Sequence, residues 1–137
     1  MKKKNVLTIL ISFILLNFSL VSANSKDSYF ENGKKLFDNK NYKDSKFYFE
    51  KDIVFNPKSE NSYLYLAKIF KEEKKLSLEE NNLNTVLLIN PKNEEAIYLL
   101  ALLNIKNSNF SKAKELIKTL NSVCKKMCSS RAELQSR

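Results

Sequence analysis

Apolar residues follow two regimes along this chain. From Val6 to Val21 nearly every position is apolar, broken only by Thr8, Ser12, Asn17 and Ser19. Beyond Lys26 apolar and polar positions interleave, and the pattern returns every 34 residues. With rows begun at Lys26, Glu60 and Glu94, small residues align at Gly33, Ala67 and Ala101. Large apolar residues align at Tyr42, Leu76 and Phe110, and again at Phe49, Leu83 and Ile117. A fourth column holds Ile53, Leu87 and Asn121. Asn56-Pro57-Lys58 and Asn90-Pro91-Lys92 close the first two rows and contain the only prolines. A proline cannot continue the preceding helix, and the residue before it is pushed out of the α region. The pattern predicts helices over 26–39, 42–55, 60–73, 77–89, 94–107 and 110–122. A short last helix is expected from about Ser130, where Ser130-x-x-Glu133 reads as a capping box. Alternating β-branched runs between glycine-rich turns, the mark of strands, are absent.

The aligned columns carry a family resemblance. The first helices read Tyr29-x2-Asn32-Gly33-x2-Leu36, Tyr63-x2-Leu66-Ala67-x2-Phe70 and Ile97-x2-Leu100-Ala101-x2-Asn104. The second helices offer Ser45, Phe49 and Pro57, then Ala113 and Ile117 without a proline. Over about 98 residues, Lys26 to Val123, this resembles the tetratricopeptide repeat family. The resemblance implies an all-α fold: a right-handed α-solenoid of three helix–turn–helix repeats, 26–59, 60–93 and 94–123. A Cys-containing turn and capping tail with a short C-terminal helix would follow over 124–137. Neither helix of such a repeat buries its apolar stripe alone, so stacking closes the core. Gly33 is the only glycine, and close approach of the second helix explains it. Asp52 and Glu79 stand where the family prefers alanine, and Asn32 and Asn104 where leucine and tyrosine are usual. A shifted or looser second helix in repeat two is therefore expected.

The resemblance also implies a concave face lined by the first helices. One stripe on them comprises Phe30, Lys34 and Phe37, then Leu64, Lys68 and Lys71, then Tyr98, Leu102 and Ile105. The i, i+4, i+7 spacing keeps each trio on one helical face. The stripe is aromatic at one end, basic in the middle and apolar at the other. Such a surface suits a protein or peptide segment with apolar anchors and an acidic group. The alternative is that the stripe packs against a neighbouring repeat or the tail. Chaperone-binding members of the family hold a terminal carboxylate with Lys, Arg and Asn. The matching positions here are Phe30, Lys34, Tyr65, Glu95 and Leu99, so that mode of binding is not expected.

Lys2, Lys3 and Lys4 precede the apolar run, and Val21-Ser22-Ala23 lies ahead of Asn24. This is the layout of a secretory signal peptide over 1–23. The run is shorter than the ~20 residues that span a bilayer comfortably. Its lysine-rich, tripartite form looks bacterial, so export to the periplasm or an equivalent space is expected. The alternative is membrane anchoring by an uncleaved segment over 6–21, the one route to membrane contact in this reading.

The net charge of +9 arises from 24 basic and 15 acidic residues, and only Arg131 and Arg137 are arginines. Lysines spread among acids describe a solvated helical surface, and export argues against nucleic acid as partner. The chain has no histidine, which removes the commonest general base and metal ligand. One glycine excludes a glycine-rich phosphate loop. No cofactor is expected, and no enzyme.

Cys124 and Cys128 are the only cysteines and stand where the earlier repeats carry the Asn-Pro turn. An oxidising compartment favours a disulfide between them, a staple for the last helix. Cys-x3-Cys as a redox or thiol–metal site is the rival, although no histidine can complete a metal shell. The reading is an exported scaffold or adaptor for protein–protein contacts in envelope assembly, secretion or complex biogenesis. The alternatives are a redox or thiol–metal accessory, or a structural subunit with a self-filled groove.

Overall fold

The computed structural model describes residues 26–129 and residue 134. The expected signal peptide and the Ser130 to Glu133 capping box lie outside the described residues. Among the described residues there are six helices and no strand. They are α1 (Lys26–Asp38), α2 (Tyr42–Phe55), α3 (Glu60–Glu72), α4 (Leu76–Ile89), α5 (Glu94–Lys106) and α6 (Phe110–Val123). Each helix packs on the next, and α1 also reaches α3. The result is an all-α stack of three helical hairpins. None of these helices is long and apolar enough to cross a membrane.

Equivalent helices begin and end 34 residues apart in all three repeats. The looser second helix expected in repeat two is therefore not present: α4 keeps the register of α2 and α6. The turns explain this regularity. Lys40, Lys74 and Ser108 adopt left-handed backbone with φ of 60°, 57° and 58°. Their N–H groups donate to the carbonyls of Phe37, Lys71 and Ile105 at 2.8, 3.1 and 2.9 Å. The N–H of the following residue reaches Leu36, Phe70 and Asn104 at 2.9, 2.9 and 2.8 Å. These paired bonds satisfy carbonyls that a helix end otherwise orphans. The same turn is thus built three times without glycine, at about 1 kcal/mol of strain each.

Gly33 is explained by Phe49. A Cβ at residue 33 would lie 2.8 Å from Cε1 of the Phe49 ring, which is fully buried. The same two columns hold Ala67 with Leu83 and Ala101 with Ile117, a larger residue at the glycine position matched by a smaller one at that of Phe49. Ser45 Oγ donates to the Gly33 carbonyl at 2.8 Å, tying α2 to α1. The buried Asp52 also has a use. It accepts from Ser62 Oγ at 2.5 Å, while Ser59 Oγ donates to Ser62 Oγ at 3.1 Å, so α2 is bonded to α3. Asn104, where the family has tyrosine, donates from Nδ2 to the Leu100 carbonyl at 2.8 Å within its own helix.

Two clusters form the core. One is aromatic, built by Phe49, Leu66, Ile69 and Phe70 with Phe30, Phe37, Tyr42 and Tyr65 around them. The other is aliphatic and runs through repeats two and three to Leu134, which is buried. At the C-terminal end Cys124 and Cys128 are joined in a disulfide, with Cα atoms 5.3 Å apart. The loop they close folds over Glu94. The N–H groups of Lys125, Lys126 and Met127 donate to the Glu94 carboxylate at 2.9, 2.9 and 2.8 Å. These bonds, with that from Met127 foremost, hold the carboxyl below its ordinary pKa.

Candidate functional site

First helices face one another in two places, the seams of α1 against α3 and, through the Lys68–Glu95 ion pair, of α3 against α5. In the first, Tyr65 is the centre. Its ring lies 5.7 Å from Phe30, 5.0 Å from Phe37 and 5.1 Å from Phe49, edge-on to the first two and stacked on the third. Phe37 also meets Tyr42 at 5.4 Å. Such pairs contribute about 0.5–1.5 kcal/mol each beyond the area they bury. Phe30 and Phe37, expected as groove surface, are half-buried and hold α1 to α3.

The second seam has different residues at the same places. Lys71 occupies the position of Phe37, Leu99 that of Tyr65, and Leu64 that of Phe30. None of the three rings of the first seam has a counterpart ring here. A cleft of about 580 Å³ remains, lined by Lys71, Glu79 and, on α5, Tyr98, Leu99, Leu102, Leu103, Ile105 and Lys106. Its long wall is the apolar face of α5, and two lysines stand at its end. Four of the nine expected stripe residues meet here: Lys71, Tyr98, Leu102 and Ile105.

The other stripe residues have different places. Leu64 is 5% exposed and belongs to the aliphatic core, so it offers no surface. Lys68 Nζ sits 2.7 Å from Glu95 Oε1 and 4.6 Å from the Tyr65 ring centre, which ties its charge to α5. Lys34 Nζ bonds Asp38 Oδ2 at 2.7 Å along its own helix, and this raises its pKa. Of the two lysines expected at the middle of the stripe, Lys68 is ion-paired with Glu95, and Lys71 lines the cleft together with Lys106. The reading of the sequence missed Leu99, Leu103, Lys106 and Glu79. Comparing the columns of residues 37 and 65 with those of 71 and 99 carries the signal, because large rings give way to a lysine and a leucine.

Glu79 lies at the base of the cleft, 4% exposed. It occupies the column of Ser45 and Ala113, where the other hairpins have small residues. Burial pushes its carboxyl above the ordinary pKa, and the nearby Lys71 and Lys106 oppose this. Among the described residues no cluster of His, Cys, Asp or Glu is arranged to hold a metal ion.

No family model matches the chain, and no curated protein matches it in sequence. Solved structures do match in fold. The first TPR of Spaghetti (RPAP3), bound to an HSP90 peptide SRMEEVD, superposes with a TM-score of 0.74 at 16% identity, over 85% of this chain and 92% of that one. The type III secretion chaperone SycD of Yersinia enterocolitica, in complex with a peptide of the translocator YopD, gives 0.75 at 10% identity, over 86% and 92%. MamA of strain RS-1 gives 0.67 at 16% identity over 73% of this chain, which spans 56% of the MamA chain. The chain has the tetratricopeptide repeat fold.

Proposed function

We propose that the protein is a non-enzymatic adaptor that holds a segment of a partner protein in the cleft between α3, α4 and α5. The single observation that supports this most is the open second seam. Its apolar wall of Tyr98, Leu99, Leu102 and Ile105 ends at Lys71 and Lys106. Its volume falls in the range typical of ligand pockets. The complementary ligand is a peptide segment with two or three apolar side chains followed by a carboxylate. Peptide complexes of the same fold, with an HSP90 peptide and with a YopD peptide, support a peptide as the class of ligand. The positions of the terminal-carboxylate clamp hold Phe30, Lys34, Tyr65, Glu95 and Leu99, and Glu95 places a negative charge there. The segment is therefore internal or differently anchored. The signal-peptide layout of residues 1–23 supports action outside the cytoplasm, in envelope assembly, secretion or complex biogenesis. The Cys124–Cys128 bridge acts as a staple for the last repeat rather than as chemistry.

The test is a photo-cross-linking residue at Ile105 in cells, with and without Lys71→Glu and Lys106→Glu. The expected result is a discrete cross-linked protein that the charge reversal removes. Absence of any cross-link from Ile105, or an unchanged one in the reversed variant, sinks the proposal.

A further inference from the structure

The face of α2 turned away from the core differs from that of α4 and α6. Lys43, Phe47, Lys51 and Val54 follow one another at intervals of four, four and three, which places them in one line along the helix. Phe55 lies beside that line. Phe47, Val54 and Phe55 are 56%, 72% and 57% exposed. Lys51 Nζ rests 5.6 Å from the Phe47 ring centre and 4.8 Å from that of Tyr29, and Tyr29 stacks on Phe55 at 5.5 Å. The same line reads Ser77, Asn81, Thr85 and Leu88 on α4, and Ser111, Glu115, Thr119 and Ser122 on α6. Exposed lysines also occur on α6, at Lys112, Lys114 and Lys118, but a line that combines lysines with exposed rings is found on α2 and does not follow from the repeat pattern. Asp44 and Glu50 are acids on its flanks, and Asp44 is bonded by Asn41 Nδ2 at 2.8 Å.

We propose that this face of α2 docks on an anionic lipid surface. The charge pattern is complementary: lysines alternate with rings that can enter the interface while the ammonium groups stay at headgroup level. Tyr29, one turn into α1, stacks on Phe55, so the aromatic end of the face lies beside the start of the first helix. Lipid contact here leaves the cleft of the second seam, on the first-helix side, open to a partner. The proposal does not depend on the cleft.

The test is co-sedimentation of the chain from Asn24 onward, which carries all six helices, with vesicles. One set contains phosphatidylglycerol and phosphatidylcholine, and the other phosphatidylcholine alone. Binding to the anionic vesicles only is expected, weakening as salt is raised. Lys43→Glu with Lys51→Glu lowers it more than about tenfold, given roughly fivefold per charge at an anionic surface. Phe47→Ser lowers it as well, while Lys71→Glu in the cleft leaves it within about twofold, since one distant charge matters less. All four side chains are at or near the surface, so the helical circular dichroism is expected to stay unchanged. No sedimentation of the wild type with anionic vesicles overturns the proposal. So does equal loss from the Lys71 and Lys43/Lys51 variants, which would mean a diffuse charge effect. Retention by poly-glutamate without binding to vesicles overturns it in favour of an acidic protein partner.

Discussion

The two seams of this stack occupy the same positions in the repeat and have different contents. Between α1 and α3, Phe37 and Tyr65 meet ring to ring at 5.0 Å. Between α3 and α5, the equivalent Lys71 and Leu99 line a cleft of about 580 Å³. All six helices keep the 34-residue register. The side chains at the two places differ: Phe37 and Tyr65 give way to Lys71 and Leu99. A repeat fold positions its helices by the turns and the small-residue columns. The residues at the seam then decide whether a joint is packed shut or left to a ligand.

The largest effect is expected from emptying the closed seam. Tyr65→Ala removes three aromatic contacts and the ring beneath Lys68, and lowers stability by about 3–5 kcal/mol. Leu99→Ala at the open seam lowers it by less than about 2 kcal/mol, because part of its surface already faces the cleft. Urea unfolding of both variants measures the difference, and equal losses would break the comparison.

The Gly33–Phe49 contact comes next. Gly33→Ala is expected to destabilise by about 1–3 kcal/mol despite its better helix propensity, because the added Cβ meets the ring. Combining it with Phe49→Leu, the pairing that repeat two uses, recovers stability relative to Phe49→Leu alone. A double-mutant cycle by thermal unfolding reads this coupling. A smaller gain of about 1 kcal/mol is expected from each of Lys40→Gly, Lys74→Gly and Ser108→Gly. The three gains should be alike, since the turns are, and unequal gains in chemical denaturation would show that the repeats differ in backbone too.

The subtlest effect lies at Glu79. Its folded pKa is raised by burial, so folding favours its protonated form. The stability linked to this group is complete below the ordinary value of 4.5 and falls as pH rises through the folded value. Glu79→Gln should therefore stabilise the protein at pH 7, and the gain should fade below pH 4. Glu94 runs the other way. Its lowered pKa means stability that is present above 4.5 and lost as pH falls through the folded value. Glu94→Gln should thus flatten the acid limb of a pH–stability profile, and an unchanged limb would deny the disulfide loop this role.

The fold was legible because its determinants are local and repeated. Each helix boundary falls within about one residue of the reading from the columns, fixed by Pro57, Pro91 and the aligned small residues. The turns at Lys40, Lys74 and Ser108 were not legible as left-handed, since none is the glycine that usually marks that conformation. The site was legible in part. Helical spacing identifies one face of α5, but not that Leu64 sinks into the core or that Glu95 takes Lys68. Those facts depend on partners across the stack. The grip of residues 125–127 on Glu94 joins groups more than thirty positions apart, and local pattern carries no trace of it.

The most direct test fills the open seam as the protein fills the closed one, with Lys71→Phe and Leu99→Tyr together. The measurement is photo-cross-linking from Ile105, alongside the urea midpoint of the same variant. The account predicts a raised midpoint and loss of the cross-linked partner. A variant that is stabilised yet still captures that partner would contradict it, because a seam packed shut would then hold what only an open one is argued to hold.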